Sequence, residues 1–317
     1  ESFIAVGAAR MKKYAPVVVY TYNRPEHLKK TIAALQANHL AGDTDIFVVS
    51  DGSKDECTKM RVNEIREYVD SIEGFHAVNR IYHKNNVGVV RSVQIAEHLI
   101  LSDYDRLITL EDDIVTSENF LDFINAGLDF YEDSDLAFTV AGYCPPIKIP
   151  QGYEFDSWNS PWHSPWGYGI WKKKYDAIDI EFNPLQKIKQ IKSKYSFLKK
   201  YGDFFIETLD RDARGLMVAG DARLAGQMLL KGAYTVIPSK SKVRNIGMDG
   251  SGLHCMPTDK FDIDLDDGQQ RVFKFSADEL DLENHALKEY LRFMNGGQVD
   301  RMRRKIGRSV RKNEFLY

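Results

Sequence analysis

Between Val17 and Ala141, five short apolar runs alternate with stretches of helical spacing. Strands separated by helix-length crossovers pair in parallel and bury both faces. The alternation therefore predicts an α/β fold: a doubly wound, mostly parallel sheet with helices on both faces. The expected strands are Val17–Tyr20, Asp45–Ser50, Ala77–Tyr82, Leu107–Leu110 and Leu136–Ala141. Pro25 suits the first turn of the helix after the first strand, and Ile32, Leu35 and Leu40 give it an apolar face. Lys54 to Val69 carries Met60, Ile65 and Val69 at helical spacing, Val89 to Leu101 reads as a third helix, and Ser117 caps a fourth.

The fourth strand ends unusually. Leu107-Ile108-Thr109-Leu110 runs straight into Glu111-Asp112-Asp113. Carboxylates there lie at the rim where open α/β sheets bind ligands. Three adjacent acids repel one another, and a divalent cation with a phosphate ligand relieves that cost. Other polar groups follow strands on the same rim: Thr21, Tyr22, Asn23 and Arg24 after the first, Asp51-Gly52-Ser53 after the second, Asn86-Val87-Gly88 after the third.

The chain of 317 residues is 43% hydrophobic and 28% charged, with a net charge of −3. That suits a globular protein with a sizeable core and gives no basic footprint for nucleic acid. Cys57, Cys144 and Cys255 are odd in number and form no CxxC pair, which reads as a reduced, cytoplasmic protein. No apolar stretch reaches membrane-span length, and Glu1 to Arg10 does not read as a signal peptide. No P-loop, GxGxxG or HExxH motif occurs, so kinase, dehydrogenase and metalloprotease readings lack support.

Past Ala141 the pattern changes. Five prolines and all four tryptophans (Trp158, Trp162, Trp166, Trp171) fall between Pro145 and Trp171, which reads as a loop-rich acceptor-side wall. The rings could stack on sugars or pack in the core. Phe182 to Arg214 reads as helical, with six lysines from Lys187 to Lys200. Asp221 to Lys231 is a helix ended by Gly232, Ala233 to Ile237 a last strand, and Ser241 to Cys255 a Gly-rich loop. Asp262 to Asp267 reads as an exposed acidic strip and Ala277 to Met294 as an amphipathic helix. Arg301 to Lys312 carries seven basic residues and no acid, which suits an anionic membrane surface.

Tyr20-Thr21-Tyr22-Asn23-Arg24-Pro25, Ser50-Asp51-Gly52-Ser53, Asn86-Val87-Gly88 and Glu111-Asp112-Asp113 together resemble a GT-A glycosyltransferase. Within that fold the chain is most similar to the inverting N-acetylglucosaminyltransferases that carry Glu-Asp-Asp. The likeness continues through Pro165-Trp166-Gly167-Tyr168-Gly169, Gly220-Asp221-Ala222-Arg223 and Ser239 to His254. The division expected is an N-terminal extension (1–14), a GT-A domain (15–260, with a nucleotide-sugar half at 15–141 and an acceptor half at 142–260) and a C-terminal helical extension with the basic tail (261–317).

The resemblance implies transfer of a sugar, N-acetylglucosamine among the candidates, from a UDP-sugar to a hydroxyl of a glycan or lipid-linked saccharide, with Mn²⁺ or Mg²⁺. Polysaccharide biosynthesis and a cytoplasmic location, peripheral at the inner membrane face, go with it. Asp113 is the expected metal ligand, Asp112 lies against the ribose and Glu111 against the donor sugar. Thr21, Tyr22, Asn23, Arg24, Asp51, Arg91 and Ser251 complete the donor site. Asp51 is able to accept from the uracil N–H and Arg24 to pair with phosphate. Asp221 is the expected general base, with Asp249 as the fallback; the plainer reading of Asp221 is a helix cap. Lys242, Arg244 and Ser251 would serve the diphosphate from a lid, and His254 is a minor metal candidate. Two readings stand against this one: a sugar-phosphate nucleotidyltransferase, which would want a basic Gly-rich loop after the first strand, and a non-catalytic carbohydrate-binding relative.

Overall fold

The computed structural model describes residues 14–250 and 258–295. In chain order the elements are β1 (Val17–Thr21), α1 (Pro25–Gln36), β2 (Asp45–Ser50), α2 (Glu56–Asp70), β3 (Ala77–Tyr82), α3 (Val89–Ile100), β4 (Arg106–Glu111), β5 (Ile114–Thr116), α4 (Phe120–Phe130), β6 (Ala137–Ala141), β7 (Ser157–Ser160), β8 (Tyr168–Trp171), α5 (Lys172–Tyr175), α6 (Leu185–Gln190), α7 (Lys192–Tyr201), α8 (Asp203–Ala213), α9 (Gly220–Lys231), β9 (Tyr234–Pro238), β10 (Val243–Asn245) and α10 (His285–Asn295).

Eight strands form one sheet in the order β3-β2-β1-β4-β8-β6-β9-β7. The first four are mutually parallel, as are β6 and β9; β8 runs antiparallel to both β4 and β6, and β7 antiparallel to β9. The five expected strands are present. Strand order reverses direction about β1, between β2 and β4, and such switch points open a crevice at the carboxyl ends of the strands. β1 is buried throughout, and apolar up to its last residue Thr21, because helices cover both faces there. Leu28, Ile32 and Leu35 of α1, with Phe120, Phe123, Ile124 and Leu128 of α4, pack with Val17, Val19, Ile108 and Leu110 in one core cluster. Ala96, Ile100 and Leu101 join Val18, Val49 and Leu107 in another.

Four expectations need correction, and the open reading of the tryptophans is settled. The segment from Pro145 to Trp171 is not only a loop wall: it contributes β7 and β8 to the sheet, too short to declare themselves among prolines. Trp158, Trp162 and Trp171 are buried there, so they build the core and do not face a sugar; Trp166 alone is partly open. Phe182 to Arg214 is three short helices, α6 to α8, and α10 begins only at His285. The acidic strip is not wholly exposed: Asp266 is buried and takes an ion pair from Lys242 at 2.7 Å.

The residues after 258 are fastened to the sheet domain. The Tyr143 hydroxyl donates to the Phe261 carbonyl at 2.7 Å, and the Asn119 amide donates to Asp266 and to the Gln270 carbonyl. Phe275 belongs to the main core and stacks tilted against Phe123 at 5.3 Å. The described residues contain no helix long and apolar enough to cross a membrane.

Candidate active site at the sheet rim

Parallel strands bring their carboxyl ends to one edge, so Thr21, Asp51 and Glu111 share it by construction. Two later elements reach the same edge for topological reasons. β8 is antiparallel to β4, so its first residue, Tyr168, lies opposite Thr109 near the end of β4. α9 feeds β9, which runs parallel to β6; a helix returning to the start of such a strand begins at the rim. Asp221 occupies its first turn.

The acids divide by environment. Asp112 is buried; Thr21 Oγ1 donates to its Oδ2 at 2.9 Å, Arg24 pairs with its Oδ1, and Thr31 Oγ1 donates to its carbonyl at 2.7 Å. Burial nonetheless pushes its carboxyl up to about 6, against the pull of Arg24 and with a further push from Asp113. Arg24 reaches Asp113 as well, Nη1 to Oδ2 at 2.8 Å. Burial alone would weaken the Arg24 charge; the two acids outweigh it and hold the guanidinium protonated beyond its ordinary range.

Asp113 Oδ1 is buried and has no hydrogen-bond partner. Gly247 packs against the other oxygen: a β-carbon there would stand 2.0 Å from Oδ2, so only glycine fits. The Ile246 N–H donates to the Asp113 carbonyl at 2.9 Å, and β10 pairs with β5, which fixes this approach.

Glu111 and Asp221 are both reached by solvent yet crowded by protein. Desolvation pushes Glu111 up to about 8, and the charges of Asp113, Asp221 and Asp112 add to it. Desolvation likewise raises Asp221. Asp221 also acts on the Tyr168 hydroxyl, whose acidity burial suppresses first of all. The Asp221 side chain caps nothing: the residue before the helix is Ala219 and no side-chain cap bond forms. The capping explanation is therefore corrected, because Asp221 stands two residues past the capping position.

Asp51 is fully engaged. Its Oδ1 accepts from the Gly52 and Val87 N–H groups, at 2.8 and 2.9 Å, and its Oδ2 from the Gly88 N–H and the Asn86 amide, at 2.9 and 3.0 Å. Those four bonds use the four lone-pair positions of a carboxylate. In this structure Asp51 ties the β3–α3 loop to the end of β2. Gly52 permits it, since a β-carbon there would meet the Asn85 carbonyl carbon at 2.3 Å.

The remaining expected residues are scattered. The Tyr22 hydroxyl accepts from the Lys54 N–H at 3.2 Å, Asn23 is half-buried, and Arg91 is exposed in the first turn of α3. Asp249 lies 3.3 Å from His27. Lys242 is taken by Asp266 and Arg244 by Asp262, at 2.6 and 2.7 Å, so neither is the free phosphate donor expected of a lid. Ser251, His254, Cys255 and the basic tail from Arg301 lie outside the described residues.

Three participants escape the sequence reading. Arg66 of α2 donates to the Ser50 and His83 carbonyls, at 3.3 and 2.7 Å, and staples the ends of β2 and β3. Glu97 is buried under β4, accepts from Thr109 Oγ1 at 3.1 Å, and is pushed up to about 7 by burial. Its signal was an acid on the apolar face of α3, beside Ala96 and Ile100. Tyr168 stood within a quoted motif, but nothing local pointed it at the rim.

No three His, Cys, Asp or Glu side chains among the described residues cluster as a metal cage. The orphaned Asp113 Oδ1 has the chemistry to suit a hard cation held by a single carboxylate. Next to Gly247, Trp166, Arg244, Met248, Asp249 and Phe261 wall a cavity of about 560 Å³ that adjoins the acids without including them.

Residues 17–146 match the profile of the family described as Glycosyl transferase family 2. No curated protein matches the chain. Among solved structures, the mannosyltransferase PcManGT from Pyrobaculum calidifontis, in complex with GDP-Man and Mn²⁺, aligns at TM-score 0.36 and 12% identity over 50% of this chain and 45% of its own. TarS of S. aureus aligns at TM-score 0.41 and 12% identity over 74% of this chain and 37% of its own. The galactosyltransferase LgtC, with donor and acceptor sugar analogues, aligns at TM-score 0.33 and 14% identity over 67% and 70%. The chain thus spans less than half the length of the first two. The residues similar to that family run from β1 through β6 of the α/β sheet and hold the switch-point crevice and all three rim acids.

Proposed function

We propose that the protein is an inverting glycosyltransferase that moves a sugar, N-acetylglucosamine being the first to try, from a UDP-sugar to a hydroxyl of a glycan or lipid-linked saccharide. The observation that carries this reading is that Asp221 and Glu111, both reached by solvent, are near enough for the charge of Asp221 to raise the Glu111 carboxyl, which also feels Asp113 with its unpartnered oxygen. Single displacement needs a base on the face opposite the leaving diphosphate. Asp221 stands on a different element from the diphosphate acids and is open to solvent, where an acceptor hydroxyl can approach. Its raised basicity suits proton removal, and the proton comes to rest on its carboxylate. Thr21 and Arg24 hold Asp112 in place for the ribose. Asp113 would hold Mn²⁺ or Mg²⁺, which when bound supplies charge neutralisation to the departing UDP.

Thermal-shift screening of UDP-sugars with and without Mn²⁺ tests the donor half; a ligand at a hundred times its dissociation constant adds about 2.7 kcal/mol. Stabilisation by a UDP-sugar only with cation, and donor hydrolysis lost in Asp221→Asn, are the results expected. No shift with any nucleotide sugar and cation would overturn the reading. We also assign the stretch from Arg301 to Lys312, with its seven basic residues, to an anionic membrane surface, each cation adding about 1 kcal/mol near it. Equal binding of anionic vesicles by the full chain and by one ending at Val299 would remove that assignment.

A further inference from the structure

Arg24 follows β1 and its guanidinium is shared between both buried rim acids, one nitrogen on Asp112 and Nη1 at 2.8 Å from Asp113 Oδ2. The three side chains are largely shielded from water, so salt screens them little. Asp113 thereby divides its oxygens: Oδ2 is held by arginine, and Oδ1 is buried with no partner. Gly247 closes the remaining side, and a β-carbon there would stand 3.0 Å from Arg24 Nη1. The guanidinium is packed into the acid pair and is not a loose surface charge.

We propose, on the nucleotide-sugar reading above, that Arg24 is the resident counter-charge of the rim acids and couples cation binding to diphosphate binding. A divalent cation at Asp113 Oδ1 meets the guanidinium on the sister oxygen of the same carboxylate. Their repulsion holds down the affinity of the cation by itself. A diphosphate supplies oxygens that a guanidinium can grip in two-pronged fashion. Arg24 then turns from Asp113 to the phosphate, and the whole carboxylate passes to the cation. By reciprocity each ligand strengthens the other by the same factor. The cation alone binds weakly, and the acids stay neutralised until donor arrives.

Calorimetric titration of Mn²⁺ into the wild-type chain, Arg24→Gln and Arg24→Lys, each without and with saturating UDP, tests this without any turnover. Glutamine removes the charge. Mn²⁺ alone should then bind at least about 5-fold tighter than to wild type, the low end of ordinary coupling between sites. UDP should raise Mn²⁺ affinity by a smaller factor in Arg24→Gln than in wild type. Lysine keeps the charge but cannot bridge two carboxylates, so its gain should be smaller. If Arg24→Gln fails to fold because Asp112 is stranded, the lysine variant against wild type decides. Mn²⁺ binding unchanged or weakened in the folded variants, with wild type still binding UDP and Mn²⁺ together, overturns the coupling and spares the nucleotide reading. A wild-type chain that binds no UDP even with Mn²⁺ overturns both.

Discussion

Gly247 and Asp113 are in contact across more than a hundred residues, so closely that the glycine backbone forms one wall of the carboxylate. Nothing in the Gly-rich loop as a sequence says where its glycine presses. The contact makes a sharp prediction. Gly247→Ala forces Asp113 or the β10 turn to shift, since the new carbon would overlap Oδ2. Cation-dependent UDP affinity should fall roughly tenfold or more, as it does when the supports of a metal ligand are disturbed. Calorimetry is the check, and unaltered affinity would show that the loop yields freely.

Asp221→Asn separates chemistry from binding. The side chain makes no cap bond, so amidation removes no structural contact of that kind. UDP should bind as before while donor turnover falls about 10²–10⁴-fold. The wild-type rate should rise with pH through the raised Asp221 value, because only the ionised carboxylate takes a proton. The same raised value means that ionisation costs folding stability, so the variant should melt no lower than wild type at neutral pH. Near-normal turnover in Asp221→Asn would move the search to Asp249, which in this structure faces His27.

Glu97 gives a test that involves no ligand. Its carboxyl is raised from 4.5 to about 7, so the folded chain keeps a proton that the unfolded chain has lost. Stability attributable to this group falls as pH rises from about 4.5 to about 7 and is flat above. Glu97→Gln should remove that fall and exceed wild type at pH 8, by ~3 kcal/mol at most. Urea unfolding at pH 5 and pH 8 measures it. Parallel pH profiles for the two proteins would contradict the assignment.

Asp51 is expected to act through the loop it holds. Asp51→Asn puts an amide NH₂ against backbone N–H donors, breaking two of the four bonds to Gly52, Val87, Gly88 and Asn86. Amide exchange at Val87 and Gly88 should quicken at least about tenfold, equivalent to 1.4 kcal/mol or more of lost protection. If exchange is unchanged while preference among nucleotide bases shifts, Asp51 reads the base directly.

The first half of the sheet was legible in the sequence because its signals are periodic and local. Five alternations force a parallel sheet, and an apolar run breaking into acids marks the rim. Asp221 was legible only through a motif; the reason it reaches the rim is the pairing of β9 with β6, a long-range fact. The same distance hid what Lys242, Arg244 and Asp51 do. Each has the right chemistry for a ligand, and each is already satisfied by a partner that the fold delivers: Asp266, Asp262 and the Asn86 loop. The strands β7 and β8 were hidden otherwise. They are four residues long, and their tryptophans read equally as ligand platforms and as core.

The reversed strand β8 has a consequence for the fragment that matches the family. β6 belongs to residues 17–146, yet it never touches β4; only β8, which comes later in the chain, joins them. Cut after Pro146, the chain would lose β8 and β9 together, leaving β4 with a raw edge and β6 with no partner strand at all. Such edges recruit foreign strands. The segment similar to the family is thus not by itself a unit of folding. Anyone trimming this protein should expect residues 17–146 to need both Tyr168–Trp171 and Tyr234–Pro238 before the sheet closes around β6.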